Sequence, residues 1–232
     1  MANAETFTNY SRSSVKFLAE LTENNDREWF KANQGRYERV VREPTLAFIR
    51  AMAPRLRKLS RQVVASDRKV GGSMMRPQRD TRFATDKTPY KTNVGVQFRH
   101  EAGKDVHAPG LYVHFDPGEL FIAVGMWHPE AGALSAVRTR ISEEPKVWKR
   151  VRDDGAFRRH FELRGDSLKR PPKGYAADHP LIEDLKRKDH IAVASLPLSR
   201  LFGSNFVDDV DTHFRAAKGY MKFLCGALDL PF

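Results

Sequence analysis

Cysteine is nearly absent from the sequence, with Cys225 the only one among 232 residues. A single cysteine excludes an intramolecular disulfide framework and is typical of a reducing cytosol. Long apolar runs are also missing, and no segment reaches the ~18 consecutive apolar residues of a membrane span. The N-terminal stretch MANAETFTNYSRSS lacks the apolar core of a secretory signal. We therefore expect a cytoplasmic protein with no membrane partner.

The standard catalytic fingerprints are absent as well. The sequence contains no GxGxxG, no GxxxxGK[ST], no HExxH, no CxxC and no GxSxG. Their absence excludes the commonest nucleotide-binding, zinc-protease and esterase classes. It also leaves the cofactor unknown, and no pattern indicates an oligomeric state.

What the sequence does have is positive charge. The formal net charge is +11, and residues 1–110 carry 21 Lys and Arg against 12 Asp and Glu. A basic surface attracts nucleic acid, anionic membranes or phosphorylated metabolites. Hydrophobic residues make up 41% of the chain, which is enough to build a core.

The first third of the chain is predicted to be helical. Asn25 is the expected N-cap of one helix, with Glu28 three residues later as in a capping box. Pro44 suits the first turn of the next helix. That helix carries apolar residues at three- and four-residue steps, and Pro54 is expected to kink or split it.

The middle of the chain is predicted to form strands. LYVHF (111–115), Asp116-Pro117-Gly118 and ELFIAVGMW (119–127) indicate a β-hairpin. Its second strand is apolar on both faces through 121–124, which predicts a sheet covered on both sides. VGVQF (94–98) and IAVASL (191–196) read as further strands, and one closing helix is expected from about Val207.

Helices at both ends and strands between them predict an α+β fold with a mostly antiparallel sheet around the hairpin at about 111–127. No linker composition interrupts the chain. We expect one domain over 1–232, with its core at about 13–230.

Charged and polar side chains are concentrated in one segment, RDTRFATDKTPYKTN, residues 79–93. Its four cations outnumber its two acids, so a phosphate or carboxylate is the predicted ligand. Asp80 and Asp86 are the acid–base candidates. The predicted ligand-binding residues are these cations, two neutral donors of the segment and three neighbours from elsewhere, namely Arg79, Arg82, Lys87, Lys91, Tyr90, Asn93, Asn25, Arg27 and His114.

A structural role for the same segment stays open. Arg82 with Asp80 or Asp86 would form an ion network that pins a long connection, and such networks also shift pKa values. An alternative role for His114 and His128 is metal binding, with Asp116 or Glu119 nearby. Because no spacing there is typical of metal ligands, no metal site is predicted.

Five segments of the chain carry a family resemblance: FLAELTENNDREWFKAN (17–33), YERVVREP (37–44), RDTRFATDKTPYKTN, LYVHFDPGELFIAVGMWHPE (111–130) and PPKGYAADHPLIEDLKRK (171–188). They resemble a family of conserved hypothetical proteins of bacteria and fungi called domain of unknown function 2461. The resemblance implies a single domain and carries over no catalytic residues. Where relatives usually have a serine after the RDxRF phenylalanine, this sequence has Ala84, which argues against a hydroxyl nucleophile there.

Three functional hypotheses follow from the sequence. The first is a protein or enzyme that binds a small phosphorylated or carboxylated ligand through residues 79–93. The second is a nucleic-acid-binding protein that uses its basic surface. The third is a non-catalytic interaction domain in which the segment is a structural ion network, so that loss of a buried Arg82 pair would be strongly destabilising.

Overall fold

A computed structural model describes residues 7–103 and 108–232 of the protein. Helices open the chain, in the order α1 (Arg12–Glu23), α2 (Arg27–Tyr37) and α3 (Glu43–Leu59), and a π-helical turn (Glu38–Arg42) joins the last two. Their apolar faces are buried, which confirms the predicted helical first third. None of the helices in the described part of the chain has the length and apolar character needed to cross a bilayer.

A six-stranded antiparallel sheet forms the centre of the described fold, in the order β1-β2-β3-β4-β6-β5. The predicted hairpin is its middle pair, and Asp116 lies in the tight turn between the two strands. The α+β class is confirmed. The strands are β1 (Val63–Val64), β2 (Val94–His100), β3 (Gly110–Phe115), β4 (Leu120–Met126), β5 (Glu162–Arg164) and β6 (His190–Leu196).

The second half of the chain places more helices around the sheet. These are α4 (Ala131–Glu143), α5 (Pro145–Arg152), α6 (Gly155–His160), α7 (Ile182–Leu185), α8 (Phe206–Ala216) and α9 (Lys218–Gly226), with a 3-10 turn at Leu198–Phe202. The prediction of a single closing helix is therefore wrong, because the chain turns at Ala217 between α8 and α9. Cys225 is fully buried in α9, and burial raises its pKa to about 12, so the thiol is inert.

The predicted cap of α2 is wrong, and of the kink or split expected at Pro54 the split does not occur. Asp26, not Asn25, caps α2, because the Asp26 carboxylate accepts the Trp29 N–H at 2.8 Å. Pro54 does not split α3, which runs unbroken from Glu43 to Leu59. Pro54 lies on the exposed side of this helix, where water can satisfy the carbonyl that its missing N–H leaves free.

The two faces of the sheet differ in cover. Side chains such as Val96, Val113 and Ile122 are fully buried against the helices. On the opposite face Phe121 and Ala123 of β4 stay half-buried and line an open groove. The prediction that both faces of β4 are covered is therefore wrong for this second face, because the helices pack on the other one.

Gly125 of β4 is the position where the sheet cannot accept a side chain. Its φ is +113°, and a Cβ atom would lie 2.0 Å from the carbonyl oxygen of His190 on β6. We expect Gly125→Ala to lower the free energy of unfolding by at least ~2 kcal/mol, measured by urea denaturation. Gly132→Ala is the matched control, since nothing lies within 4 Å of that added methyl group in α4. Equal stability of the two variants would contradict the expectation.

His190 makes stability depend on pH. It is buried, and both ring nitrogens lack a hydrogen-bond partner among the described residues. Burial, with added repulsion from Arg187 and Arg138, lowers its pKa from 6.5 to about 3. Below pH 6.5 the unfolded chain binds a proton at this histidine and the folded chain does not, so stability falls as the pH drops toward 3.

Replacing this histidine isolates its contribution. The free energy of unfolding of the wild type falls as the pH drops from 6.5 to about 4. We expect His190→Leu to reduce this slope by up to ~1.4 kcal/mol per pH unit, because the variant has no proton to gain on unfolding at this position. Urea denaturation of the wild type and the variant at several pH values measures the difference. A variant with the wild-type pH slope would show that another group carries the dependence.

Candidate functional site

The segment 79–93 belongs to a protruding arm with paired edges. The Arg79 N–H donates to the Pro89 carbonyl at 2.9 Å, and the Lys91 N–H donates to the Pro77 carbonyl at 2.7 Å. Residues 77–79 therefore run antiparallel to residues 89–91, and residues 80–88 form the tip. We call residues 77–91 the arm.

Asn25 anchors the arm to the helices. Its carboxamide donates to the Tyr90 carbonyl at 2.9 Å and accepts the Tyr90 N–H at 3.0 Å. The Tyr90 ring stacks on Phe30 of α2, with centroids 4.0 Å apart and an interplanar angle of 15°. Asn25 is thus not a helix cap, because its side chain satisfies both backbone groups of Tyr90.

The charges at the tip of the arm pair with one another. Arg82 donates to both carboxylate oxygens of Asp80 at 2.9 and 2.7 Å. Arg79 donates to Asp86 and to the Thr88 hydroxyl. The Lys87 ammonium donates to the Thr81 carbonyl at 3.0 Å.

This pairing fixes the ionisation of the two aspartates. Hydrogen bonds from Arg82 lower the pKa of Asp80 to about 2, and a hydrogen bond from Arg79, with others from Thr88, lowers the pKa of Asp86 to about 2. Carboxylates held ionised in this way are weak bases near neutral pH. The ion network of the structural hypothesis is present, but the Arg82 side chain is 76% exposed, so the Asp80–Arg82 pair is not buried.

The base of the arm brings most of the predicted site residues together. A polar cavity of about 370 Å³ lies there, which we call the arm cavity. Asp80, Arg82 and Lys87 are not among its lining residues, and Arg27 is exposed at the start of α2. The predicted residues that line it are Asn25, Arg79, Asp86, Tyr90, Lys91 and Asn93.

Lys91 differs from the other cations of the segment. Its ammonium makes no hydrogen bond and no ion pair with another residue in the ranges 7–103 and 108–232. It is half-buried, and burial together with the neighbouring Arg76 lowers its pKa. A cation that is partly desolvated beside a second cation is disfavoured unless an anion joins it.

Lys91 also lines a larger cavity of about 640 Å³ between the helices and the chain leading into the arm. We call it the basic cavity. Among the described residues that line it, the one acidic residue is Glu38, which pairs with Arg42 at 2.7 Å. The cationic residues that line it are Arg42, Arg68, Lys69, Arg76, Lys91 and Arg99.

Five of these six cations were missed by sequence reasoning. Arg68, Lys69 and Arg76 precede the segment 79–93, while Arg42 and Arg99 come from the π-helical turn and β2. The only available signal was the excess of positive charge in residues 1–110. That excess gives no indication of convergence, which depends on tertiary structure.

His114 lies beyond the arm on β3, at the end of the hairpin. The Asn93 carboxamide is 3.3 Å from its Nδ1 atom, so the end of segment 79–93 contacts the hairpin. Asp116 and Glu119 lie beside its other nitrogen. His128 is not part of this group; its backbone N–H donates to the Asp189 carboxylate at 2.7 Å.

The family model described as "Conserved hypothetical protein (DUF2461)" matches residues 13–223 of the chain. The protein belongs to this family. The matched range includes the arm, both cavities and the hairpin, so the candidate site lies within the family domain. No curated protein and no solved structure matches the chain.

The role of Asn25 in anchoring the arm can be tested by measuring the stability of the protein. Asn25→Ala removes two hydrogen bonds to the backbone of Tyr90, and we expect it to lower the free energy of unfolding by ~1–3 kcal/mol. Arg82→Ala removes only an exposed pair, and we expect little change. Chemical denaturation measures both variants.

Asn24→Ala is the neighbouring control, because its carboxamide makes a single exposed hydrogen bond to Glu20. A loss of stability in Arg82→Ala as large as that in Asn25→Ala would instead support the structural-network hypothesis.

Proposed function

We propose that the protein binds a small phosphorylated or carboxylated ligand in the basic cavity, with Lys91 and Arg76 as its central contacts. The observation that carries the proposal is the half-buried Lys91 ammonium, which has no counter-ion among the described residues. Burial and Arg76 lower its pKa, so an anion placed between the two cations would relieve an existing electrostatic cost.

The size and charge of the cavity support a small ligand. Its volume of about 640 Å³ is in the range of ordinary ligand sites. Within residues 7–103 and 108–232, six cationic residues line it, and the one acidic residue, Glu38, is already paired with Arg42. Fixed cations in a recessed site attract and orient anions more strongly than the same charges on a flat surface.

The segment 79–93 has a divided role in this proposal. Arg79, Arg82 and Lys87 bond within the arm and hold its shape. The Lys91 ammonium, in contrast, bonds to none of the described residues, and Lys91 lines both cavities. The ligand is therefore held at the base of the arm in the basic cavity, whereas Asn25, Tyr90 and Asn93 line the neighbouring arm cavity.

Nucleic-acid binding is the second candidate, and one feature favours it. Phe83 at the tip of the arm is 96% exposed, and the Arg82 guanidinium lies 5.9 Å from its ring centroid. An exposed aromatic ring beside an arginine is a stacking platform for an unpaired base. In this case the arm tip, and not the basic cavity, would be the contact surface.

Inorganic phosphate is the first probe, titrated by calorimetry into the wild type and Lys91→Gln. We expect the variant to bind phosphate at least tenfold more weakly, because a hydrogen bond to a charged group contributes ~1.5–3 kcal/mol. Without phosphate the variant should be as stable as the wild type or more so, because it lacks a disfavoured charge. A structural lysine would give the opposite, a variant with lower stability.

Lys222→Gln is the matched control, since Lys222 is an exposed lysine of α9 that lines neither cavity. Equal weakening by both substitutions would mean that net charge alone attracts phosphate, and the basic cavity would then have no special role. A short single-stranded oligonucleotide tests the second candidate. Binding that falls steeply with salt and is lost in Phe83→Ala would favour it over the small-ligand proposal.

A further inference from the structure

Three side chains with metal-binding atoms meet at the end of the central hairpin. His114 is on β3, and Asp116 and Glu119 flank the turn into β4. The His114 Nε2 atom is 3.5 Å from Asp116 Oδ2 and 3.5 Å from Glu119 Oε1. One ligand atom from each residue lies within 4.8 Å of the other two.

These separations suit coordination better than hydrogen bonding. An N–H···O hydrogen bond is typically ~2.7–3.2 Å long, so 3.5 Å is at its outer limit. Ligand atoms that surround a Zn²⁺ ion tetrahedrally at ~2.0–2.1 Å are roughly 3.4 Å from one another. The two distances from the imidazole therefore match the edges of a coordination shell.

The neighbours of the cluster fix the direction of its ligand atoms. Asp116 Oδ1 accepts the N–H groups of Gly118 and Glu119 at 2.7 and 2.8 Å, which leaves Oδ2 facing the imidazole. The His114 ring stacks on Phe121 at 4.4 Å with an interplanar angle of 11°. Both side chains are thus held in position before any ion binds.

The other ring nitrogen of His114 has polar partners that suit a metal ligand. The Tyr112 hydroxyl is 3.4 Å from Nδ1, and the Asn93 carboxamide is 3.3 Å from it. The Asn93 atom at this distance is the carboxamide nitrogen Nδ2; with the amide turned so that Oδ1 faces the ring, both Asn93 and the Tyr112 hydroxyl accept a hydrogen bond from Nδ1–H. That arrangement selects the tautomer whose Nε2 lone pair is free for a metal, as in most metal-bound histidines.

The charge of the cluster is not compensated by the protein. Neither Asp116 nor Glu119 forms an ion pair with a lysine or arginine of the described residues, although the chain is strongly basic. Two carboxylates without a cation balance the charge of one divalent ion.

The cluster also opens onto a cavity that contains an unpartnered polar group. The groove on the exposed face of the sheet has a volume of about 440 Å³ and is lined by Glu119, Tyr112 and Phe121, among others. Gln97 lines it as well, is only 9% exposed, and forms no hydrogen bond through its carboxamide to a residue of the described ranges. Its carboxamide offers both a hydrogen-bond donor and an acceptor to a molecule in the groove.

We propose that His114, Asp116 and Glu119 bind one divalent transition-metal ion, such as Zn²⁺ or Mn²⁺, at the mouth of this groove. The imidazole favours these ions over Mg²⁺ and Ca²⁺, which prefer sites made of oxygen atoms alone. Three protein ligands leave a coordination position for water or for a donor atom of a largely apolar ligand in the groove. This metal site is independent of the anion proposal and uses none of its cations.

Calorimetric titration of the chelator-treated full-length protein with Zn²⁺, Mn²⁺ and Mg²⁺ tests the site. We expect one equivalent of Zn²⁺ to bind with micromolar or tighter affinity and Mg²⁺ to bind at least 100-fold more weakly. Glu119→Gln and His114→Ala should each weaken Zn²⁺ binding at least tenfold. Glu119 is 60% exposed, so its isosteric replacement leaves the fold intact even if His114→Ala is unstable.

Glu130→Gln and His128→Ala are the matched controls, because both residues are exposed and outside the cluster. They should bind Zn²⁺ as the wild type does. With Co²⁺ as a spectroscopic probe, the visible absorption bands of the bound ion should change in His114→Ala and not in His128→Ala. Absence of stoichiometric Zn²⁺ binding, or binding unaffected by Glu119→Gln and His114→Ala, would overturn the proposal.

Discussion

The backbone hydrogen-bonding requirement of strand β2 organises the candidate sites. Its outer edge would be open beyond the two-residue strand β1, and unpaired edge groups must find partners. The segment leading into the arm supplies them, since the Gln97 N–H donates to Ser73 at 2.7 Å and the Met75 N–H donates to Gly95 at 2.9 Å. These hydrogen bonds hold the chain of residues 66–93 beside strand β2 of the sheet. As a result Met75 and Gln97 line both the basic cavity and the sheet-face groove.

The arm shows how similar cations acquire different roles through their surroundings. Arg79 and Arg82 each form an ion pair with an aspartate of the same tight loop, so their positive charge is neutralised within that loop. Lys91 emerges at the base of the arm, where the chain has rejoined the sheet and Arg76 is its charged neighbour. The surplus of two cations over acids in the segment therefore falls on Lys87, which donates to the Thr81 carbonyl, and on Lys91, whose ammonium has no partner among the described residues.

Sequence patterns predicted what depends on local periodicity. The hairpin was predictable because alternating apolar residues flank Asp116-Pro117-Gly118, and a strand period of two determines which side chains share a face. The same period places His114 and Asp116 on one side, and the tight turn returns Glu119 to them, so this cluster had a local signal. The basic cavity had none, because its cations come from four separate stretches of chain. The cap of α2 was missed because Asn25 and Asp26 are equally suitable by type, and only the distant Tyr90 decides between them.

Asn93 links the base of the arm to the end of the hairpin. It follows Lys91 by two residues and contacts His114, whose other nitrogen faces two carboxylates. Pairing the free lysine with one of those carboxylates would remove two electrostatic costs at once, and stability alone would favour it. In the described residues, however, Lys91 forms no ion pair with either carboxylate, and neither carboxylate pairs with another lysine or arginine. Charges kept apart at a cost to stability are typical of sites that bind ligands, and here the cationic and anionic groups face different cavities.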